Sequence, residues 1–261
     1  DANGLKSNQI KLTRGAIKTI ISGYTRESGL RNLEQKIGSV CRGIASKIAE
    51  GKAKDLVVGK KCLHEYLGPA PNMPELALKI KTPGVVVGLA WTPFGGEILF
   101  IEAVAMKGGK GLELTGQLGD VMKESASTAL SFIRANAEKL NVDETFFNNH
   151  DIHIHVPEGS IPKDGPSAGV AMLTCLMSVM TGRLVKERLA MSGEITLRGE
   201  VLPVGGIKEK VIAAHRAGIK KIILPLWNKK DMEDVPGNIK NSIEFHFVDK
   251  MEDVLKLALE L

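Results

Sequence analysis

The spacing of apolar residues changes abruptly within this 261-residue chain, and that change constrains the fold more than any other feature. Between residues 9 and 50, apolar residues recur at helical spacing, at Ile17, Ile20 and Ile21 and again from Leu33 to Ile48. This period predicts helices throughout that region, with each helix burying one apolar face.

A proline-rich segment ends the helical region. Residues 68 to 74 contain three prolines, which favour turns and break regular structure. We therefore predict an all-α domain at residues 1–68, a linker at 69–82 and a second domain at 83–261.

Strands alternate with helices in the second domain. Two apolar runs, 85–91 and 98–101, flank a turn rich in proline and glycine, as paired strands do. The further predicted elements are a helix at 120–140, a strand at 152–156, a helix at 168–181, strands near Ala190 and Val201, a helix at 206–217 and a strand at 221–224. This alternation predicts an α/β or α+β domain.

Composition excludes several classes of protein. Cys41, Cys62 and Cys175 are widely spaced, so we expect reduced, mostly buried thiols and neither a disulfide framework nor a zinc ribbon. The net charge of +5 comes from dispersed lysines, which permit nucleic-acid binding without indicating it. No apolar run reaches the ~18 residues of a membrane span and no signal peptide is evident, so we expect a cytoplasmic protein without membrane contact.

Ser167 is the candidate nucleophile. It lies in the segment from Pro162 to Gly169, between a predicted strand and a predicted apolar helix. Unpaired backbone N–H groups at such a helix start can stabilise an oxyanion. A serine there also serves as an ordinary helix cap, so its position alone leaves both interpretations open.

Lys210 is the candidate base that would activate this serine. A helix turns ~100° per residue, so Lys210 falls toward the apolar face of Ile207 and Val211, whereas Lys208 can reach solvent. Burial would lower the pKa of a lysine from ~10.4 and make its neutral amine available as a base. The amine could instead extend into water along an apolar surface, and helical geometry leaves that alternative open.

Two histidines share one face of a predicted strand. His153 and His155 alternate with Ile152 and Ile154, so the rings project to one side and the aliphatic side chains to the other. Two histidines could begin a metal site, but the sequence shows no third ligand cluster. We predict no metal site here.

Two motifs together resemble the signature of the Lon protease family. They are the segment from Pro162 to Gly169 and, beginning 36 residues after its end, Gly205 to Lys210, and the similarity extends from Val85 to the C-terminus. The resemblance implies a serine endopeptidase in which Ser167 is the nucleophile and Lys210 the general base. Peptide hydrolysis in this family requires no cofactor.

The same resemblance assigns supporting roles to four more residues. Ser192 matches a position that is usually threonine, whose hydroxyl helps to hold the catalytic lysine. Glu102 and His153 match polar residues around the active site, and Asp164 matches an acid that controls the catalytic loop. Purely structural roles for these last three residues remain open.

The first domain resembles the small helical lid domain of AAA+ proteins through residues Tyr24 to Glu34. Arg31 matches the sensor-2 arginine that reaches nucleotide phosphates in those proteins. No Gly-x-x-x-x-Gly-Lys-Ser/Thr motif occurs in the sequence. We therefore expect the ATPase core, with its ATP and Mg²⁺, to lie upstream of Asp1 in a longer protein.

The resemblance implies a protein quality-control enzyme that degrades unfolded or damaged proteins as a homohexameric ring. An extended substrate could pair with a strand edge near Val87 to Trp91. The rival hypothesis is an assembly module in which the serine and the lysine are not organised for catalysis. A nucleic-acid-binding role, suggested by the isoelectric point of about 9.0, is the other alternative.

Overall fold

The computed structural model describes residues 3–25, 27, 29–52, 56–71, 81–93, 95–109, 111–157 and 162–259. It divides into two compact units, Asp1–Glu75 and Leu76–Leu261, each with its own hydrophobic core. The division falls inside the segment predicted as a linker, although residues 72–80 of that linker lie outside the described residues. Arg26 and Ser28 of the lid motif and Phe94 of the predicted turn also lie outside them.

The first unit is helical, with a short strand pair. In chain order, its described elements are β1 (Ile10–Leu12), α1 (Arg14–Tyr24), α2 (Arg31–Ala49), β2 (Leu56–Val58) and α3 (Leu63–Leu67). The hydroxyl of Thr13 accepts a hydrogen bond from Ala16 N at 3.1 Å, so α1 begins at a side-chain cap. Ile20 of α1 and Ile44 of α2 are fully buried, which confirms the predicted apolar faces.

Two details of the first unit differ from prediction. Residues 10–12 form a strand, because β1 pairs in parallel with β2 some 46 positions later, a partner that local periodicity does not reveal. Ile21, placed on the apolar face, is 48% exposed. Its neighbour Ile20 occupies the buried side of α1 instead.

The second unit is a mixed α/β domain, as predicted. Its described strands are β3 (Val85–Thr92), β4 (Gly95–Lys107), β5 (Leu112–Thr115), β6 (His150–His155), β7 (Leu189–Met191), β8 (Glu194–Ile195), β9 (Val201–Leu202), β10 (Lys221–Pro225) and β11 (Glu244–Val248). Its described helices are α4 (Asp120–Ala135), α5 (Phe146–Asn149), α6 (Gly169–Thr181), α7 (Ile207–Arg216), α8 (Gly237–Lys240) and α9 (Met251–Ala258). Strands β5, β8 and β11 and helices α5, α8 and α9 were not predicted.

The main sheet has the strand order β11-β10-β7-β3-β4-β6-β5. Strand β4 runs antiparallel to both its neighbours, and the other neighbouring pairs are parallel. Strands β8 and β9 form a separate antiparallel pair. The pairing of β3 with β4 confirms the hairpin predicted around residues 93–96.

Helices α6 and α7 contact opposite faces of β3. A side chain at Gly88 would lie 3.6 Å from Ala171 of α6, so this face of the strand meets α6 closely. Trp91 has the opposite parity along the strand, and a side chain at Gly206, which precedes α7, would meet its Cβ at 2.7 Å. The sheet therefore separates the helix that follows Ser167 from the helix that carries Lys210.

The three cysteines are free, as predicted. Only Cys175 is buried, whereas Cys41 is half-buried and Cys62 is exposed. The expectation of mostly buried thiols was therefore wrong, because Cys62 ends a short 3₁₀ turn on the surface before α3. Among the described residues, no helix is long and apolar enough to cross a membrane.

Candidate active site

Ser167 lies where the chain enters a largely buried helix. It occupies a 3₁₀ turn, Pro166–Ala168, that leads directly into α6. Most of α6 is buried, so this helix is a fixed platform rather than a surface element. A side chain at Gly169 would come within 3.0 Å of Ile195, and glycine therefore allows the turn to approach strand β8.

The main chain of Ser167 is tied to the segment that follows β7. Its carbonyl oxygen accepts hydrogen bonds from Gly193 N at 2.9 Å and from Ser192 Oγ at 3.2 Å. Val170 N donates to Gly193 O at 3.1 Å one turn further on. These bonds hold the serine turn against the carboxyl end of β7.

Lys210 is the buried lysine of α7. Its side chain is 2% exposed, whereas Lys208 is exposed, which confirms the burial inferred from helical geometry. The amine donates a hydrogen bond to Ser192 Oγ at 3.1 Å. Desolvation by burial lowers the pKa of Lys210 from 10.5 to about 8. Near neutral pH, a useful fraction of this amine is therefore unprotonated.

Ser192 connects the two candidate catalytic residues. It is 1% exposed, and its hydroxyl accepts from Lys210 while donating to the carbonyl of Ser167. Ser167 Oγ itself makes no hydrogen bond within the described part of the chain. In this conformation, Ser167 and Lys210 thus share one intervening hydroxyl rather than a direct bond.

Asp164 lies on the same loop but holds it to a different element. Its carboxylate accepts from Met122 N, in the first turn of α4, at 3.1 Å and from Gly165 N at 2.8 Å. A side chain at Gly119 would meet Asp164 Cγ at 2.3 Å, so the loop and the start of α4 are in close contact. Asp164 therefore acts as a helix cap supplied from elsewhere in the chain.

Glu102 and His153 are not joined to this site by hydrogen bonds or ion pairs in the described residues. Glu102 is exposed on β4, directly opposite His155 of β6. His153 Nε2 lies 2.8 Å from Thr115 Oγ1 and its Nδ1 lies 3.9 Å from Glu113 Oε2. Both residues belong to a polar patch on the outer face of β4, β5 and β6. The described residues contain no group of three or more potential metal ligands.

Arg31 is the first residue of α2 and is exposed. The carboxylate of Glu27 caps this helix by accepting from Asn32 N and Leu33 N, both at 2.8 Å. Because Glu27 occupies those N–H groups, the guanidinium of Arg31 is the group at this helix start that suits a nucleotide phosphate.

One feature of the site was not found in the sequence. Asn228 is 3% exposed and hydrogen-bonds the main chain just ahead of α7. The only local signal was a polar residue shortly after a predicted strand, which does not identify a partner 24 positions away. Strand β3, whose edge was predicted to pair with substrate, pairs with β7 at Val87 and Gly88.

The pairing with β7 shortens the edge that was predicted to bind substrate. Val87 and Gly88 already pair with Ala190 and Met191, the last two residues of β7. No described strand continues alongside residues 89–92 on that side. The open part of the edge therefore begins at Leu89, next to the segment that carries Ser192.

A serine turn joined through one buried hydroxyl to a buried lysine, on a mixed α/β domain, has the chemistry of a serine hydrolase. Comparison with known proteins gives the family. Residues 57–261 match the family model described as the Lon protease (S16) C-terminal proteolytic domain. Residues 1–57 match the Lon protease AAA+ ATPase lid domain. The chain belongs to the Lon protease family, as the two motifs predicted, and carries its serine peptidase domain.

Curated relatives support the same assignment. The chain is 64% identical to a Lon protease of Desulfosudis oleivorans over 257 residues, which are 98% of this chain and 32% of that protein. It is 61% identical to a Lon protease of Syntrophus aciditrophicus, over 99% of this chain and 33% of the relative. Lon protease 2 of Myxococcus xanthus is 54% identical, over 99% and 31%. The chain spans about a third of the length of these relatives.

Proposed function

We propose that this chain hydrolyses peptide bonds with Ser167 as nucleophile and Lys210 as general base. The observation that carries the proposal is the shared hydroxyl of Ser192, which bonds to the Lys210 amine and to the Ser167 carbonyl in a buried setting. Ser192 would hold the amine in place while it exchanges a proton with Ser167.

The proton transfer depends on the neutral form of Lys210. With a pKa of about 8, the amine is unprotonated in roughly a tenth of molecules at pH 7. A lysine at its ordinary pKa of ~10.4 would be neutral about two hundred times less often. Rotation of the Ser167 side chain toward Lys210 would form the direct bond, while Gly193 keeps the serine carbonyl in place.

The attack then follows acyl-transfer chemistry. Lys210 takes the proton of Ser167 Oγ as this oxygen attacks the substrate carbonyl, and backbone N–H groups of the turn that carries Ser167 would stabilise the resulting oxyanion. The protonated Lys210 returns the proton to the leaving amine. Water then hydrolyses the acyl–serine ester with the same residues in their original roles. No cofactor takes part in these steps.

The open edge of β3 suits an extended polypeptide. The N–H and C=O groups of residues 89–91 that face away from β4 can hydrogen-bond an added strand. This arrangement selects substrate by backbone conformation, so unfolded or damaged proteins and peptides are the proposed substrates. Trp91 is 60% exposed beside this edge and is available to contact substrate side chains.

The remaining family properties belong to a longer protein. We infer that this protein uses ATP and Mg²⁺ to unfold its substrates, forms a ring of six copies and acts in the cytoplasm. The exposed Arg31 fits a sensor-2 role toward a nucleotide phosphate, whereas the motif that cradles phosphates is absent from these 261 residues. We propose residues 1–68 as the lid domain and 83–261 as the proteolytic domain.

The test compares two lysines on one helix. Ser167→Ala and Lys210→Met should each abolish cleavage of an unstructured polypeptide, by a factor of about 10³ or more. Lys208→Met is the matched control and should cleave at the wild-type rate, because Lys208 is exposed.

Labelling by a serine-reactive peptide analogue separates this proposal from a non-catalytic assembly module. The proposal expects labelling at Ser167 that is lost in Lys210→Met and kept in Lys208→Met. Undiminished cleavage by both Ser167→Ala and Lys210→Met would reject the assignment of the dyad.

A further inference from the structure

Asn228 is a buried polar side chain that the proposed reaction does not use. It lies in a 3₁₀ segment, Leu226–Asp234, that follows strand β10. Its Oδ1 accepts from Val204 N at 2.9 Å and its Nδ2 donates to Val204 O at 2.9 Å. The amide of Asn228 thus pairs with both main-chain groups of one residue, as a neighbouring strand would.

Three partners fix the orientation of this amide. Val204 N is a donor and must face Oδ1, whereas Val204 O and the carboxylate of Asp231 are acceptors and must face Nδ2. The bond from Nδ2 to Asp231 Oδ2 is 2.6 Å long. Both N–H groups of Asn228 are therefore used, and a carboxylate could not replace the amide.

Val204 leads directly into the helix that carries Lys210. Only Gly205 and Gly206 separate it from the first residue of α7. No side chain caps α7, and Gly206 adopts a left-handed conformation with a φ of +71°. The first intrahelical hydrogen bond runs from Lys210 N to Gly206 O at 3.0 Å. The placement of Lys210 thus begins with the placement of this loop.

The loop borders open space on its outer side. A cavity of about 580 Å³ borders residues 203–209 and is lined in part by Asn228 and Asp231. The far end of α7 has its own attachment, through a bond from Arg216 Nη2 to Gly96 O at 3.2 Å. Loss of the Asn228 contacts should therefore loosen the first turn of α7 and leave the rest of the helix in place.

We infer that Asn228 is a positioning residue for Lys210: by clamping the peptide groups of Val204, it sets the start of α7 and so the hydrogen bond between the lysine amine and Ser192. The catalytic importance of this clamp rests on the proposed function. The effect of the clamp on the environment of Lys210 does not depend on the proposed function, so the environment and the catalytic effect can be measured separately.

The first measurement is the titration of Lys210, followed through the ¹³Cε chemical shift of the side chain. Asn228→Asp keeps the size of the side chain but removes both donors, and Asn228→Ala removes the clamp entirely. In both variants, the pKa of Lys210 should rise from about 8 toward its ordinary value of ~10.4, because the loosened amine gains water. Lys229→Ala alters an exposed neighbour and should leave the titration unchanged.

The second measurement is peptide hydrolysis. The two Asn228 variants should lose about tenfold or more in kcat with little change in KM, because Asn228 lies on the loop ahead of α7 rather than on the open edge of β3. The acidic limb of the pH profile, where activity rises as Lys210 loses its proton, should move upward with the pKa of Lys210. A wild-type protein that cleaved no polypeptide would contradict the proposed function, while the titration would still decide the clamp.

A double variant distinguishes the clamp from simple charge repulsion. In Asn228→Asp with Asp231→Asn, only position 228 carries a carboxylate, so no two carboxylates face each other, but Val204 O still lacks its donor from residue 228. The clamp predicts that the pKa of Lys210 stays raised in this protein. Its return to the wild-type value would overturn the inference. An unchanged titration of Lys210 in Asn228→Asp would also overturn the inference. A change in titration that only accompanies unfolding of the whole unit would do the same.

Discussion

The first turns of helices α2 and α7 each carry a cationic side chain, and the two turns are held in different ways. At α2, the nearby carboxylate of Glu27 caps the helix locally and Arg31 remains exposed. At α7, no side chain caps the helix, and contacts from distant elements fix its start. Those contacts bury Lys210.

The comparison shows how burial within the fold changes the chemistry of a cationic side chain. An exposed guanidinium is accessible to a phosphate brought by another surface. Burial of the Lys210 amine lowers its pKa to about 8, which corresponds to ~3 kcal/mol against the charged form. Burial thus supports the base role proposed for Lys210 within its own domain, whereas the role proposed for the exposed Arg31 needs a ligand from outside.

The pH dependence of hydrolysis should give the largest effect. The pKa of Lys210 is lowered, so the active neutral amine appears as the pH rises through about 8. We expect kcat/KM to increase about tenfold per pH unit below that value and to level off above it, or about a hundredfold between pH 6 and pH 9.

Steady-state kinetics on an unstructured peptide would check this profile. A control peptide without ionisable side chains separates titration of the enzyme from titration of the substrate. If kcat/KM instead rose near pH ~10.4, the ordinary pKa of a lysine, Lys210 would be as solvated as Arg31. The contrast between the two helix starts would then fail.

Substitution of Gly206 should give the next largest effect, because two structural features require glycine at this position. Its φ of +71° disfavours any other residue, and an added Cβ would meet Trp91 Cβ at 2.7 Å. Gly206→Ala should lower the free energy of unfolding by about 1–3 kcal/mol and reduce kcat by about tenfold or more, since the start of α7 must shift.

The adjacent glycine is the matched control for that variant. A Cβ at Gly205 would meet no atom within 4 Å, so Gly205→Ala should change unfolding by less than ~0.5 kcal/mol. Denaturant unfolding and peptide kinetics measure both variants. Equal behaviour of the two alanine variants would show that the close contact with Trp91 does not set the position of α7.

The sequence predicts some of this site because part of the geometry is local. Helical periodicity distinguishes buried Lys210 from exposed Lys208, and strand alternation places His153 on a polar face. Strands β3 and β4 and helices α4, α6 and α7 follow from apolar patterns and turn residues in the same way. These features depend on neighbours within about four positions, which a single sequence displays.

What the sequence could not predict depends on contacts between distant residues. Asn228 bonds Val204, and Asp164 caps a helix 42 positions earlier at Met122. Strand β1 is short and is stabilised by its parallel partner in β2, so a helical pattern masked it. In each case the partner, rather than the residue type, defines the role, and only the fold brings the partners together.

Ser192 should give an intermediate effect. Ser192→Ala removes the acceptor of the Lys210 amine and one donor to the carbonyl of Ser167, so kcat should fall about tenfold. Ser192→Thr keeps the hydroxyl and should remain within about threefold of the wild type. Peptide kinetics and the pH profile measure both proteins. A fully active alanine variant would remove Ser192 from the connection between serine and lysine.

The smallest effects are expected at α2 and test the local side of the comparison. Glu27→Ala removes two hydrogen bonds from the first turn, so the first unit should lose about 1 kcal/mol of stability. Arg31→Ala should change this stability by less than ~0.5 kcal/mol, because the side chain is exposed.

Amide hydrogen exchange in α2 measures both changes. Both tryptophans, Trp91 and Trp227, lie in the second unit, so tryptophan fluorescence shows whether that unit is unaffected. A larger loss in Arg31→Ala than in Glu27→Ala would make Arg31 a structural residue and end the contrast with Lys210.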